Sequence, residues 1–314
     1  MLQFDSGHLR GVFSPVVTPF RADLSPDPER LARHCRWLLS NDVGLAVFGT
    51  NSEANSMSVE EKVELLDQLV AAGIDPFRLM PGTGCSALTD SVRLTAHSVS
   101  LGASGVLMLP PFYYKGVSDE GLYRNFAEII ERVGDSRLQI YLYNIPPVSQ
   151  VTISVALIER LVKNYPDVVG GIKDSSGDWS VTQSYLDNFA RIASVFPGSE
   201  SFLLQALRNG GAGCISATAN VNPGPIVNLF ATWQETDAEV QQSRLNEIRG
   251  IFAHYPMIPA LKAAIAHYSG DPSWRTVRPP LVELTNEQLN SLVKELDTTA
   301  FAMPGLQIAD VSHE

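Results

Sequence analysis

One lysine follows a stretch of chain that should bury it. Lys173 comes directly after the apolar run 168–172, and the polar residues 174–178 then predict a turn. Burial disfavours the ammonium form of a lysine and leaves the neutral amine, which can attack a carbonyl carbon to form a Schiff base. The alternative is structural, with Lys173 paired to Asp174 or reaching from the strand end into solvent. The remaining lysines lie in a loop or in predicted helices, where a solvated charge costs little: Lys62, Lys115, Lys163, Lys262 and Lys294.

Two further groups of polar residues belong to apolar runs. Tyr141 and Tyr143 flank Leu142 and therefore share one face of a predicted strand. A phenol beside a reactive lysine could move protons during imine formation, although strand tyrosines are also common core residues. Residues 49–53 end an earlier run with small hydroxyl and amide side chains. This turn could hold a carboxylate with its N–H groups, or it is an ordinary capped turn before a helix.

The elements that would position these residues alternate regularly. Apolar runs typical of strands buried on both faces occur at residues 11–20, 44–50, 77–84, 105–112, 138–146, 168–174, 192–198 and 213–220. Segments with helical periodicity lie between and after them, at residues 58–73, 88–101, 119–133, 154–164, 180–190, 201–209 and 225–235.

Eight strand–helix units over this length predict a (β/α)8 barrel, an α/β fold whose active site forms at the carboxyl ends of the strands. After residue 235 the pattern is helical only, at about 238–253, 258–268 and 286–296. We therefore predict two regions: a barrel that carries the catalytic site, residues 1–235, and a C-terminal helical annex, residues 236–314.

Composition restricts the partners. The 314-residue chain has a net charge of −11, which argues against nucleic acid and anionic membrane surfaces and favours a small-molecule substrate. The three cysteines show no paired spacing, the first residues do not resemble a secretory signal, and no apolar run is long enough to span a membrane. These features predict a cytoplasmic location.

The motifs along the chain resemble those of one enzyme family. They are residues 11–20, 49–53, 111–114, 143–146, 171–174 and 214–220. In this order they resemble the pyruvate-dependent class I aldolases, the family of dihydrodipicolinate synthase and N-acetylneuraminate lyase. The resemblance implies a (β/α)8 lyase that needs no cofactor and no metal, and that assembles as a homotetramer.

The resemblance also implies catalytic roles. Lys173 would form the imine with pyruvate, and Tyr143 would be the proton shuttle, linked through Thr50 to Tyr113 from across a subunit interface. An imine is an electron sink, so the adjacent methyl group would lose a proton to give an enamine. The enamine would then attack an aldehyde, or the reverse cleavage would release one.

Substrate-binding roles follow from the same resemblance. Thr50 and Asn51 would hold the keto-acid carboxylate, with the backbone of Ile215 nearby. Gly198 and Glu200 follow the seventh strand, where sialate lyases hold sugar hydroxyls with an acidic pair. This chain keeps one carboxylate of that pair, which argues against sialic acid as the substrate.

Val148 marks a second departure from the family. It stands two residues after Pro146, where dihydrodipicolinate synthases carry an arginine for the carboxylate of aspartate semialdehyde. An isopropyl group cannot replace a bidentate guanidinium, which argues against 4-hydroxy-tetrahydrodipicolinate synthase activity. We therefore expect aldol chemistry on a less charged aldehyde. The alternative is dehydration of a 2-keto-3-deoxy sugar acid through the same lysine imine.

Three other functions have less support. Residues 82–87 match the dinucleotide pattern GxGxxA, but no acidic residue occurs within 101–109 to hold a ribose hydroxyl. The six histidines are dispersed and show no metal-ligand spacing. A non-catalytic keto-acid sensor would be favoured by loss of Lys173 or Tyr143, and the sequence retains both.

Overall fold

The computed structural model describes residues 3–5 and 8–306. Its strands are β1 (Gln3–Asp5), β2 (His8–Ser14), β3 (Gly44–Leu45), β4 (Val106–Met108), β5 (Ile140–Asn144), β6 (Val169–Asp174), β7 (Ser194–Pro197) and β8 (Gly213–Ile215). β2 pairs in parallel with β3 and β8, and β4 to β7 pair in parallel in chain order. β1 forms an antiparallel extension of β2 outside this ring.

The predicted strand at residues 77–84 is the least regular part of the barrel. Its beginning is instead a 3₁₀ turn, Pro76–Arg78. The chain then connects its neighbours through two single parallel bridges, Leu45 with Leu79 and Gly82 with Leu107. These bridges link β3 to β4 and, with the pairing of β2 and β8, confirm the predicted (β/α)8 barrel.

Two glycines let this irregular segment pass between its neighbours. A Cβ on Gly82 would lie 2.1 Å from the carbonyl oxygen of Phe48, and one on Gly84 would lie 2.2 Å from the nitrogen of Leu109. Any other residue at either position would displace backbone. The GxGxxA match is thus accounted for by barrel packing.

The barrel interior is filled by large side chains. Phe13 contacts Phe196 edge-on with 5.9 Å between ring centroids, and the Tyr141 ring is tilted against Phe196 with 6.1 Å between centroids. All three are buried, and each contributes about 1.5–3 kcal/mol from burial of apolar surface. The interior is therefore a packed core at the level of these three side chains.

The helices of the described chain are α1 (Pro28–Ser40), α2 (Val59–Ala71), α3 (Leu88–Leu101), α4 (Asp119–Val133), α5 (Pro146–Ser149), α6 (Val155–Asn164), α7 (Trp179–Phe189), α8 (Leu203–Arg208), α9 (Pro223–Thr232), α10 (Ala238–Ala253), α11 (Met257–Ser269) and α12 (Asn286–Asp297). No helix was predicted for residues 28–40, where the structure has α1. Leu31, Cys35 and Leu38 recur there at spacings of four and three residues and are buried, so the helical periodicity was present in the sequence. The N-terminal cap was present as well, because the Asp27 side chain accepts a hydrogen bond from the backbone N–H of Arg30.

The last three helices pack on the barrel. Leu245 and Phe252 of α10, Leu261 of α11 and Leu292 of α12 are buried in the same apolar cluster as barrel residues such as Val12. The predicted domain boundary after residue 235 stays a prediction, and residues 307–314 of the annex lie outside the described residues. Across the described chain, none of the helices is both long and apolar enough to cross a membrane.

Candidate active site

Lys173 lies in the middle of the β5–β6–β7 sheet, at the carboxyl end of its strand. It is in register with Tyr143 of β5 and Phe196 of β7, and it is 3% exposed. Its Nζ stands 4.0 Å from the centroid of the Tyr143 ring. No acidic group of the described chain forms an ion pair with it. The amine therefore faces the barrel mouth without a carboxylate to hold it.

Asp174 points away from Lys173, because successive strand residues face opposite sides. Its carboxylate accepts hydrogen bonds from Asn144 Nδ2 at 2.9 Å, from Ser176 Oγ at 2.8 Å and from Thr182 Oγ1 at 2.6 Å. The structural alternative of a Lys173–Asp174 ion pair is not what the structure shows. Asp174, which also lines the cavity, instead holds the β6–α7 turn.

The two strand tyrosines have different surroundings. The Tyr143 hydroxyl lies 3.3 Å from Thr50 Oγ1, at hydrogen-bond distance. Tyr141 lies one layer deeper, in register with Gly171, and burial raises the pKa of its phenol above the usual range. Tyr143 is therefore the tyrosine that reaches the barrel mouth, and Tyr141 is a core residue.

The 49–53 turn is held from several sides. Residues Thr50–Ser52 form a 3₁₀ turn in which Ser52 Oγ accepts from the Gly49 N–H at 3.1 Å. Thr18 Oγ1 donates to the Ser52 carbonyl at 2.7 Å, and Glu53 adopts a left-handed conformation with φ of +57°. These contacts present Thr50 and Asn51 to the cavity beside Lys173.

Glu53 forms a buried ion pair that corrects the prediction for one lysine. Lys262 Nζ of α11 donates to its carboxylate at 2.5 Å and to the Thr276 carbonyl at 2.7 Å, and both charged side chains are fully buried. The Arg278 backbone N–H also donates to Glu53, at 2.8 Å. Burial lowers the pKa of Lys262 to about 8, against the opposing effect of Glu53.

The prediction that Lys62 is solvated is also wrong. It is 5% exposed and lines a small cavity behind Thr50 and Tyr143. Helical periodicity correctly predicted that Lys62 and Lys262 lie on helices. In the structure, however, α2 and α11 direct these two side chains towards residues 49–53 and not towards water.

A cavity of about 270 Å³ opens at the carboxyl ends of the strands. It brings together most of the predicted site residues, namely Thr50, Asn51, Tyr143, Val148, Lys173 and Gly198. Position 198 has no room for a Cβ, because a Cβ there would lie 2.0 Å from Ser175 Oγ. Val148 is 59% exposed at the rim, so its isopropyl group occupies a place from which a long side chain could reach the cavity.

Three predicted residues lie outside this cavity. The Ile215 side chain is buried in the barrel core, and Tyr113 is 73% exposed on the loop before α4, packed edge-on against Tyr114. Glu200 is fully buried behind the wall and accepts hydrogen bonds from Ser216 Oγ and Thr218 Oγ1. The structure therefore does not bring the Glu200 carboxylate to the substrate side.

One charged residue of the cavity, Arg249, was not predicted from the sequence. Arg249 reaches the cavity from α10, the first helix after the eight strand–helix units. It belongs to the buried face of that helix with Gln242, Leu245 and Phe252, at spacings of three and four residues. A charged residue in an otherwise buried stripe was the available signal.

The site contains the groups that carbonyl chemistry through a lysine needs: a buried amine, a phenol–hydroxyl pair beside it and hydrogen-bond donors for an acid. Within residues 3–5 and 8–306, no cluster of histidine, cysteine or acidic side chains is placed to hold a metal ion. Fold and site together are those of a barrel enzyme with a buried side-chain amine in the cavity at the carboxyl ends of its strands.

Comparisons with known proteins agree with this class. Residues 8–299 match the model of the dihydrodipicolinate synthetase family. An uncharacterized DapA-like lyase of Chloroflexus aurantiacus is 34% identical over 90% of this chain and 94% of its own. The crystal structure of dihydrodipicolinate synthase from Agrobacterium tumefaciens superposes with a TM-score of 0.85 at 32% identity, covering 92% of this chain and 99% of that one.

A third relative is a prophage protein of the dihydrodipicolinic acid synthase family from E. coli K12, solved in complex with pyruvate. It has a TM-score of 0.83 and 26% identity over 92% of this chain and 98% of its own. The present chain belongs to the dihydrodipicolinate synthetase family. It is a lyase of the aldolase type, and the predicted family, fold and enzyme class are confirmed.

Proposed function

We propose that the enzyme joins pyruvate to an aldehyde, or cleaves the product, through a Schiff base on Lys173. The observation that carries this proposal is the buried amine, free of ion pairs in the described chain, at the cavity beside Tyr143. The family relative solved with pyruvate supports pyruvate as the keto acid.

In the proposed cycle the neutral Lys173 amine adds to the keto carbon, and the carbinolamine loses water to give an imine. The imine withdraws electrons, so the methyl carbon releases a proton and an enamine forms. The enamine carbon attacks the aldehyde carbon while the aldehyde oxygen takes a proton. Water then hydrolyses the new imine, which releases a 4-hydroxy-2-oxo acid and restores the lysine.

Tyr143 is our candidate for moving the protons of this cycle. Its ring lies against Lys173 and its hydroxyl reaches Thr50, so a proton can pass between the phenol and the threonine hydroxyl. Thr50 and Asn51 would also donate to the keto-acid carboxylate, with the Ile215 backbone at the end of β8 below them. Gly198 and Val148 would contact the remainder of the substrate.

We also propose a cytoplasmic homotetramer in which Tyr113 completes the proton path of a neighbouring copy. Tyr113 and Tyr114 form an exposed pair of aromatic rings 5.3 Å apart, and exposed aromatic residues are enriched at protein interfaces. The three cysteines are free, which fits a reducing compartment.

Borohydride trapping tests the Schiff base directly. Reduction in the presence of pyruvate should leave one reduced pyruvyl group per chain, and peptide mapping should locate it on Lys173. Lys163, exposed on α6, provides the internal control and should stay unmodified. No adduct with pyruvate, but one with 2-keto-3-deoxygluconate, would favour the dehydration chemistry. No adduct with either would overturn the proposal and favour a sensor.

Replacing Tyr143 with phenylalanine should slow proton transfer by about 10²-fold or more, because the ring still fills its place but the shuttle is lost. The exchange of pyruvate methyl protons for deuterium measures this step by NMR without any aldehyde. Tyr141→Phe, in the same strand but in the core, should change the exchange rate less than about twofold. Equal rates for Tyr143→Phe and wild type would remove Tyr143 from the mechanism.

A further inference from the structure

Arg249 is the second cation of the active-site cavity. Among the described residues that line the cavity, Lys173 and Arg249 carry the positive charges, and Arg249 is 24% exposed there. In the proposed cycle Lys173 becomes covalently bound and the 49–53 turn holds the keto-acid carboxylate. The charge of Arg249 then remains available to the other part of the substrate.

The nearest acid holds Arg249 only loosely. Arg249 Nη1 lies 3.5 Å from Ser216 Oγ, at the outer limit for a hydrogen bond, and 3.6 Å from Glu200 Oε2, beyond that limit. The Glu200 carboxylate already accepts hydrogen bonds from Ser216 and Thr218. A guanidinium has five N–H donors in a planar fork, and most of those of Arg249 have no acceptor within the described chain.

Other arginines of the same protein show what a structural ion pair looks like here. Arg30 Nε contacts Asp271 at 2.7 Å, and Arg278 binds Glu61 with two nitrogens, one of them at 2.8 Å. Arg249 makes no such close or two-point contact within the described residues. An ion pair with Glu200 therefore does not explain why the Arg249 guanidinium lies at the cavity wall.

We propose that Arg249 is a specificity-determining residue that binds a carboxylate at the far end of the second substrate. This inference rests on the proposed function and revises the expectation of a less charged aldehyde. Val148 leaves its side of the cavity apolar, whereas α10 supplies a planar cation from a different element. A guanidinium and a carboxylate form paired, charge-assisted hydrogen bonds, so an aldehyde or sugar acid with a terminal carboxylate matches the site.

Glu200 has a positioning role in this scheme. Its buried carboxylate lies 3.6 Å from one nitrogen of Arg249, close enough to orient the fork towards the cavity. Gln242, about two helical turns before Arg249 on α10, donates to the Glu200 carbonyl at 3.0 Å and joins the helix to this wall. Glu200 is the one carboxylate that this chain keeps of the acidic pair found in sialate lyases. It would therefore act through Arg249 and not on substrate hydroxyls.

Binding of matched keto acids tests the proposal without turnover. Calorimetry would compare 2-oxoglutarate with 2-oxopentanoate, and 2-oxoadipate with 2-oxohexanoate, since each pair differs only in a terminal carboxylate or methyl group. Wild type should bind at least one dicarboxylate about tenfold or more tightly than its partner. Arg249→Gln should remove that preference, while Arg249→Lys, which keeps the charge but not the fork, should retain a small part of it.

Two variants separate recognition from folding. Glu200→Gln/Arg249→Gln removes both charges and should fold without any carboxylate preference, even if the single variant is unstable. Arg244→Gln makes the same charge change on the exposed side of α10 and should retain the wild-type preference. Wild type without a preference would overturn the proposal. So would a preference that survives in Arg249→Gln or, if that variant does not fold, in the double variant.

Pyruvate trapping with borohydride, run on every variant, separates the two proposals. If trapping on Lys173 persists but the dicarboxylates gain nothing from Arg249, this inference alone fails. If wild type traps no keto acid, the proposed function fails and the inference, which rests on it, fails with it.

Discussion

Lys173→Ala should lower the rate of deuterium exchange into the pyruvate methyl group by about 10⁴-fold or more, towards the uncatalysed rate. Without the amine no imine can form, and the methyl protons of free pyruvate are too weakly acidic to exchange quickly. The loss should appear in the rate constant at saturating pyruvate, because the variant retains the 49–53 turn that we expect to bind the carboxylate. The measurement is proton NMR of pyruvate in D₂O.

The matched control is Lys163→Ala, which removes an exposed lysine from α6 and should exchange at the wild-type rate. Lys173→Ala should remain folded, since removal of a buried amine without an ionic partner in the described chain leaves no charge unpaired. If folded Lys173→Ala keeps more than about a tenth of the wild-type exchange rate, a Schiff base on this residue is not the mechanism.

Lys262→Met should lower the free energy of unfolding by about 3–5 kcal/mol, because it leaves the Glu53 carboxylate charged in a buried site without its cation. Both side chains are fully buried, and Glu53 retains only the Arg278 N–H as a donor within the described chain. Because Glu53 ends the turn that carries Thr50 and Asn51, pyruvate binding should weaken as well. Urea denaturation measures the first effect, and calorimetry with pyruvate measures the second.

Glu53→Gln/Lys262→Met tests the physical reason. Removing both charges avoids the unpaired carboxylate, so the double variant should be more stable than Lys262→Met. Lys294→Met, at an exposed position of α12, should change the stability by no more than about 0.5 kcal/mol. A Lys262→Met protein within about 1 kcal/mol of wild type would show that the pair is not a main source of stability.

Much of the candidate active site could be predicted from short segments of sequence. Lys173, Tyr143 and the 49–53 turn stand at the ends of apolar runs, and parallel strands in a barrel must end at the same rim. Six of the predicted site residues line one cavity for that reason. The helix at residues 28–40 was not predicted, although its apolar spacing and its N-terminal cap were both present in the sequence.

Local periodicity and ordered motifs were enough to predict the barrel, the strand-end positions and the family. Which charged helical residues turn inwards depends on contacts between distant segments of the chain. Lys262 meets Glu53 from 209 residues away, and Arg249 meets Glu200 from a different element, across the wall of the cavity. Periodicity identifies the buried face of a helix but not what that face is packed against. The electrostatic partners of the site were therefore set by how α10 and α11 dock on the barrel.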